Sequence, residues 1–210
     1  MSPWQFFVGH RAEILEATVA HLTLVVLAMA IAIAIALPLG MFIVRRPALR
    51  NIALGVASVF QTIPSLALFG FLIPIPFIGG IGRRTAIVAL VLYALLPILR
   101  NTYVGLTGID PGALQAAEAM GMTPSQILWR ARLPLALPVI LAGIRTATVI
   151  TIGVATIAAA IGAGGLGTFI FRGVAMVSDA VILAGAIPAA LLAILADVLL
   201  ARLERHLKVA

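Results

Sequence analysis

Five apolar stretches of membrane-spanning length alternate with short polar segments along the chain. They run from about Leu22 to Val44, Ile52 to Ile73, Thr85 to Tyr103, Val139 to Ile161 and Ala180 to Ala201. A helix needs about 20 mainly apolar residues to cross a hydrocarbon core about 30 Å thick, and each stretch comes close to that length. Pro97, Arg100 and Asn101 shorten the apolar part of the third. The run IAIAIAL at 31–37 alternates as a strand would, but both alternating members are apolar. A lone strand in lipid leaves backbone groups unpaired, and the other stretches do not alternate polar with apolar, so helices are predicted rather than a barrel. The expectation is an all-α integral membrane protein with five transmembrane helices. Residues 1–21 would form an external N-terminal segment, 22–201 the transmembrane domain and 202–210 a cytoplasmic tail, with the largest polar interruption at about 105–137.

Composition supports this. The chain is 63% hydrophobic and 10% charged, with a mean hydropathy of +1.21. Soluble domains are nearer half apolar and a quarter charged, so a bilayer is the expected solvent and a multi-pass cell-membrane location follows. No cysteine is present, which removes disulfide scaffolds and thiolate metal sites. The formal charge of +7 is explained by orientation rather than by nucleic acid, because the basic residues flank apolar segments. With the N-terminus outside, the cytoplasmic side holds Arg45, Arg46, Arg50, Arg100, Arg130, Arg132, Arg202, Arg205 and Lys208, against Arg11, Arg83, Arg84 and Arg172 outside. The excess of basic residues marks the cytoplasmic side. The first twenty residues lack the basic-then-apolar layout of a cleaved signal peptide.

The segment from Asp110 to Pro138 is a polar island facing the cytoplasm in this topology. Asp110-Pro111 starts a helix well, since Asp caps free N–H groups and Pro suits the first helical position. Gly121 would end that helix by taking a left-handed conformation. Thr123-Pro124 would start a second, with Ile127, Leu128 and Ala131 as its apolar stripe, before Pro134 and Pro138 bend the chain into the fourth span. Two readings fit: a hairpin that merely links two spans, or a docking element for a cytoplasmic partner.

Within the spans, Gln61, Thr62 and Ser65 surround Pro64, either as a packing kink or as a polar lining of a translocation path. Thr148 and Thr151 are candidates for the same lining, or simply pack. Gly162, Gly164, Gly165 and Gly167 allow a non-helical turn at the outer side, read as an outer gate, a contact for an external protein, or a plain loop. Arg145 and Asp197 lie inside the cytoplasmic ends of their helices. An intramembrane charge costs on the order of 3 kcal/mol, so a pair between them or with loop carboxylates is expected. A membrane-embedded enzyme would need converging His, Asp or Glu. His10, His21 and His206 fall at or outside the predicted span ends, and Asp197 is the clear acid inside one, so no catalytic residue or metal ligand is expected.

The island also carries a motif. Ala116-Ala117, then Gly121, then Leu133-Pro134 twelve residues on resembles the EAA loop of ATP-binding cassette (ABC) importer permeases. Gln115 stands where the motif usually has Glu, and Ala131 where it usually has Ile; Glu118 offers a carboxylate one turn away. The segments QTIPS (61–65), LYALLPILRNTY (92–103), GIDP (108–111), ATIAAAIGAGGLG (155–167) and ILAGAIPAALLAILAD (182–197) resemble the osmoprotectant branch, whose members import glycine betaine, choline and carnitine. The loop by itself implies only an ABC importer permease, and the glycine segment is also similar to methionine, phosphonate and taurine permeases. The combination points to osmoprotectants. The resemblance implies a methionine-importer-like ABC permease fold and a second permease, copy or paralogue. It further implies separate ATPase subunits docked on the loop and an external solute-binding protein. Gly162–Gly167 lacks the Lys-Ser or Lys-Thr of a phosphate-binding loop, so ATP is expected on the ATPase, and no cofactor on this chain. With two Trp and two Tyr, an aromatic cage for a quaternary ammonium is expected on the binding protein.

Overall fold

In the computed structural model, which describes residues 3–207, the membrane-crossing elements are four long helices and one broken pair. Lys208, assigned above to the cytoplasmic side, lies outside the described residues. The elements are α1 (Pro3–Gly9), α2 (Arg11–Ile43), α3 (Pro47–Thr62), α4 (Ser65–Leu72), α5 (Arg83–Thr107), α6 (Pro111–Ala119) and α7 (Pro124–Gln126). A π-helical stretch (Ile127–Arg132), α8 (Leu133–Ile157), a 3-10 turn (Ala158–Ile161), α9 (Gly167–Ala175) and α10 (Asp179–Leu207) complete the chain. The chain is an all-helical, multi-pass membrane protein.

The second span is not the single helix expected. α3 and α4 meet at 104°. Pro64 supplies no N–H, and the ring of a proline pushes the residue before it out of the helical region. Ile63 accordingly has φ −69° and ψ 129°. Its carbonyl accepts a hydrogen bond from the Tyr93 hydroxyl of α5, so the break is tied to the neighbouring helix.

Helix α2 starts at Arg11, well before the predicted span, because Arg11–Ala20 mixes charged residues with good helix formers and contains no breaker. His21, expected at a span end, is therefore inside a helix and fully buried. α10 likewise carries residues 202–207 of the expected tail as helix. Pro134 and Pro138 do not interrupt the chain. Pro134 sits in the first turn of α8, where a missing N–H costs little. The turn before it is widened, with the Leu133 N–H bonded to the Leu128 carbonyl five residues back.

α5 is the central helix, packed between α2 and α8. The contacts are made by small residues, with Ala28, Ala32, Ala89, Ala94, Ala147 and Ala155 fully buried. Lipid tails are as apolar as leucine, so helices in a membrane gain most from close backbone approach. Gly143 of α8 shows this: a Cβ there would lie 2.5 Å from Asn101 Cβ and 2.7 Å from the Pro97 carbonyl oxygen.

The two ends of the bundle are distinct. One gathers α1, the turn at Gly80–Gly82, the glycine loop at 162–167 and α9; Ile81 lies against Gly162. The other gathers the turn at Val44–Arg46, the polar island and the end of α10. Among the described residues, the basic side chains assigned above to the cytoplasm fall at the second end.

Candidate functional site

The polar island folds as a capped hairpin. The Ala113 N–H donates to Asp110 Oδ2 at 3.3 Å, capping α6. At the far end, the Gly121 N–H donates to the Glu118 carbonyl at 2.9 Å and the Met122 N–H to the Ala117 carbonyl at 3.2 Å. Gly121 has φ +76°, a conformation that costs other residues steric strain. Thr123 and Gln126 then form a reciprocal capping box. Ala117 is buried and packs toward the neighbouring π-helical stretch, while Gln115, Ala116 and Glu118 face outward. Leu133 is half-buried and Pro134 exposed where α8 begins. The motif thus divides into inward residues that hold the hairpin and outward residues that are available to a partner.

Arg50 anchors the neighbouring turn. Its Nη1 donates to the Tyr103 hydroxyl at 3.0 Å, and its guanidinium lies 5.5 Å from the Tyr103 ring centroid. This ties the start of α3 to the C-terminal part of α5.

The candidate path residues separate. Gln61, Thr62, Pro64 and Ser65 sit at the α3–α4 break, and the Thr62 hydroxyl donates to the Val59 carbonyl at 2.8 Å. Thr62 and Pro64 are exposed on this chain, Gln61 and Ser65 half-buried. Thr151 faces a different way: it is fully buried, with its hydroxyl 3.6 Å from Met29 Sδ of α2, so here it joins two helices. Thr148, half-buried, donates to the Ile144 carbonyl at 2.8 Å in its own helix.

At the opposite end of the bundle, α8 tightens into a 3-10 turn and then a loop in which Gly162, Gly164 and Gly165 all have positive φ. Gly165 lies against His21: a Cβ there would be 3.2 Å from His21 Nδ1. His21 Nε2 donates to the Ile152 carbonyl at 3.2 Å. Beside the loop is a cleft of about 330 Å³, lined by Glu13, Glu16, Gly164, Gly165, Phe169 and Arg172. Sequence reasoning singled out the glycines but missed His21, Glu13 and Glu16. The signal was the helical spacing of Glu13, Glu16 and Ala20 ahead of the apolar run, which extends the helix outward.

At the end of the bundle that holds the polar island, Arg145 Nε lies 3.4 Å from Asp197 Oδ1, and Arg145 Nη1 lies 3.4 Å from Glu204 Oε2. The second carboxylate comes from α10, seven residues beyond Asp197, rather than from the polar island. Seven residues is two helical turns, which puts both acids on one face toward α8.

Comparison with known proteins fits this arrangement. Residues 28–209 match the family model described as the binding-protein-dependent transport system inner membrane component. The choline transport system permease protein OpuBB of Bacillus subtilis is 42% identical over 97% of this chain and 92% of its own length. The osmoprotectant import permease protein OsmW of Salmonella typhimurium is 46% identical over 97% of this chain and 96% of its own length. Among solved structures, an inward-facing form of the MetNI methionine ABC transporter superposes with a TM-score of 0.81 at 26% identity, covering 100% of both chains. The broken span, the central α5 and the capped hairpin are therefore those of an ABC importer permease, and the chain belongs to the family of binding-protein-dependent transport system inner membrane components.

Proposed function

We propose that this chain is the permease subunit of an ATP-driven importer of quaternary ammonium osmoprotectants: glycine betaine, choline and carnitine. It forms the path through the membrane and transmits the ATPase stroke. The single observation that carries the coupling half of this reading is the hairpin of α6 and α7, with Ala117 buried and Gln115 and Glu118 exposed. A rigid, double-capped element on the end of α5 and at the head of α8 moves with both helices, so a push on the hairpin reaches the bundle core. The substrate half draws on relatives whose names specify choline and osmoprotectant transport.

In this reading two permeases pair, two ATPase subunits seat on their hairpins, and an external binding protein delivers solute to the glycine-loop end. ATP is held by the ATPase. Gln61, Thr62, Pro64 and Ser65, at the break in the second span, line the path together with Thr148, and Gly164 and Gly165 form its outer gate. Thr151 supports that lining from behind by holding α8 against α2. Glu118 is the docking carboxylate in place of Gln115.

The test is the ATPase rate of the assembled transporter in lipid with its binding protein. Stimulation by choline, glycine betaine or carnitine, and none by methionine, supports the reading. Stimulation by methionine alone favours a methionine importer instead, the alternative suggested by the fold match.

A further inference from the structure

A groove of about 670 Å³ opens between the cytoplasmic end of α2 and the start of the π-helical stretch. Arg45, Arg46, Ser125 and Trp129 form its polar rim, and Met41 and Leu128 its apolar floor. Among the described residues, no acidic side chain lines it. Arg46 is already held over the Phe42 ring, 5.6 Å from its centroid, and both arginines are exposed. Phe42 and Trp129 are exposed as well, at 54% and 58%.

We infer that this groove binds the headgroup of an anionic phospholipid of the cytoplasmic leaflet. The position selects the occupant. α2 leaves the apolar span at Ile43, so the rim lies at the level where headgroups meet water. Large amphipathic rings such as Trp129 favour that depth. Paired guanidinium groups with no opposing carboxylate suit a phosphate, and basic pockets beside transmembrane helices on this side attract acidic headgroups. The apolar floor continues along α2 toward the bilayer core, which gives the first acyl carbons a place to lie. A soluble phosphate would use the rim and leave the floor wet. A bound lipid would join α2 to the hairpin's second arm, so the acidic lipid content of the membrane would tune coupling. The inference rests on the inward orientation of the hairpin and is independent of the solute.

The chain has two tryptophans, Trp4 and Trp129, and Trp4 is exposed near the other end of the bundle. A full-length Trp4→Phe permease therefore reports from Trp129 alone. In mixed bilayers, brominated phosphatidylglycerol should quench Trp129 at least threefold more effectively than brominated phosphatidylcholine at equal mole fraction. Arg45→Gln with Arg46→Gln should bring the two lipids level, while Arg83→Gln with Arg84→Gln at the outer end should leave the preference intact. Equal quenching by the two lipids in the Trp4→Phe protein would overturn the inference. So would a preference that survives loss of Arg45 and Arg46, or one abolished by soluble glycerol phosphate at matched ionic strength. Raising salt in the Trp4→Phe protein with both arginines present should lower the preference, since rim charges are screened, and a salt-independent preference would count against the site.

Discussion

His21 Nε2 and the Ile152 carbonyl oxygen lie 3.2 Å apart, joining the outer part of α2 to α8 through a side chain with no exposed surface. The contact removes a donor that would be costly to bury unpaired. Its other ring nitrogen, Nδ1, has no hydrogen-bond partner among the described residues and faces the backbone of Gly165. His21→Ala should therefore remove a hydrogen bond and leave a cavity, costing about 2–4 kcal/mol. Unfolding of the purified permease in detergent measures it. A cost within about 0.5 kcal/mol, as for an ordinary surface position, would refute the tie.

Gly165 tests the outer gate. A side chain at φ +78° is strained, by about 1–2 kcal/mol, and its Cβ would press on His21. Gly165→Val should reduce solute uptake severalfold while the protein still inserts. Combining Gly165→Ala with His21→Ala should relieve the crowding but not the backbone strain, so uptake should recover only in part. Normal uptake and normal ATPase rate in Gly165→Val would sink the gate.

Arg145 faces Asp197 and Glu204 at 3.4 Å each, but the two partners differ. Asp197 is half exposed and Glu204 is nearly enclosed. A double-mutant cycle should give a coupling of about 0.5–1 kcal/mol for Arg145–Asp197, in the range of surface pairs. Arg145→Ala alone should cost more than loss of that coupling, because it also withdraws positive charge from beside the nearly enclosed Glu204 carboxylate. Glu204→Gln added to Arg145→Ala should restore part of the loss. Strict additivity in both cycles would rule out the cluster.

Three substitutions in the hairpin separate its fold from its docking role. Gly121→Val forces a β-branched residue into φ +76°, which should loosen the turn and lower ATPase co-purification. Glu118→Gln should weaken docking severalfold at low salt with little effect on stability, as Glu118 is exposed and away from the packed face. Gln115→Glu should be tolerated or should strengthen docking. Unchanged co-purification in both Gly121→Val and Glu118→Gln would remove the hairpin as the dock.

Much of the fold was legible because lipid imposes a simple rule: long apolar runs become helices. The hairpin was legible for a related reason, since Asp110-Pro111, Gly121 and Thr123-Pro124 are local signals whose partners lie within a few residues. The break in the second span was half visible. Pro64 announced a kink, but not its 104° angle or the hydrogen bond to the Ile63 carbonyl from Tyr93, thirty residues away. His21 was hidden because the hydropathy pattern begins at Leu22, whereas the helix begins at Arg11 and burial comes from α8. Glu204 was hidden by its place in a charged terminal segment that looks solvated until α8 is packed against it. Thr148 and Thr151 illustrate the same limit: threonines three apart in one helix face different neighbours, and only the packing tells which one meets α2.

The most direct measurement is uptake of radiolabelled choline, glycine betaine and carnitine by proteoliposomes holding the permease, its ATPase and its binding protein. At least one of them should accumulate in a way that requires ATP on the hairpin side and is lost with Gly121→Val. Absence of uptake of all three, in vesicles where another solute stimulates the ATPase, would contradict it.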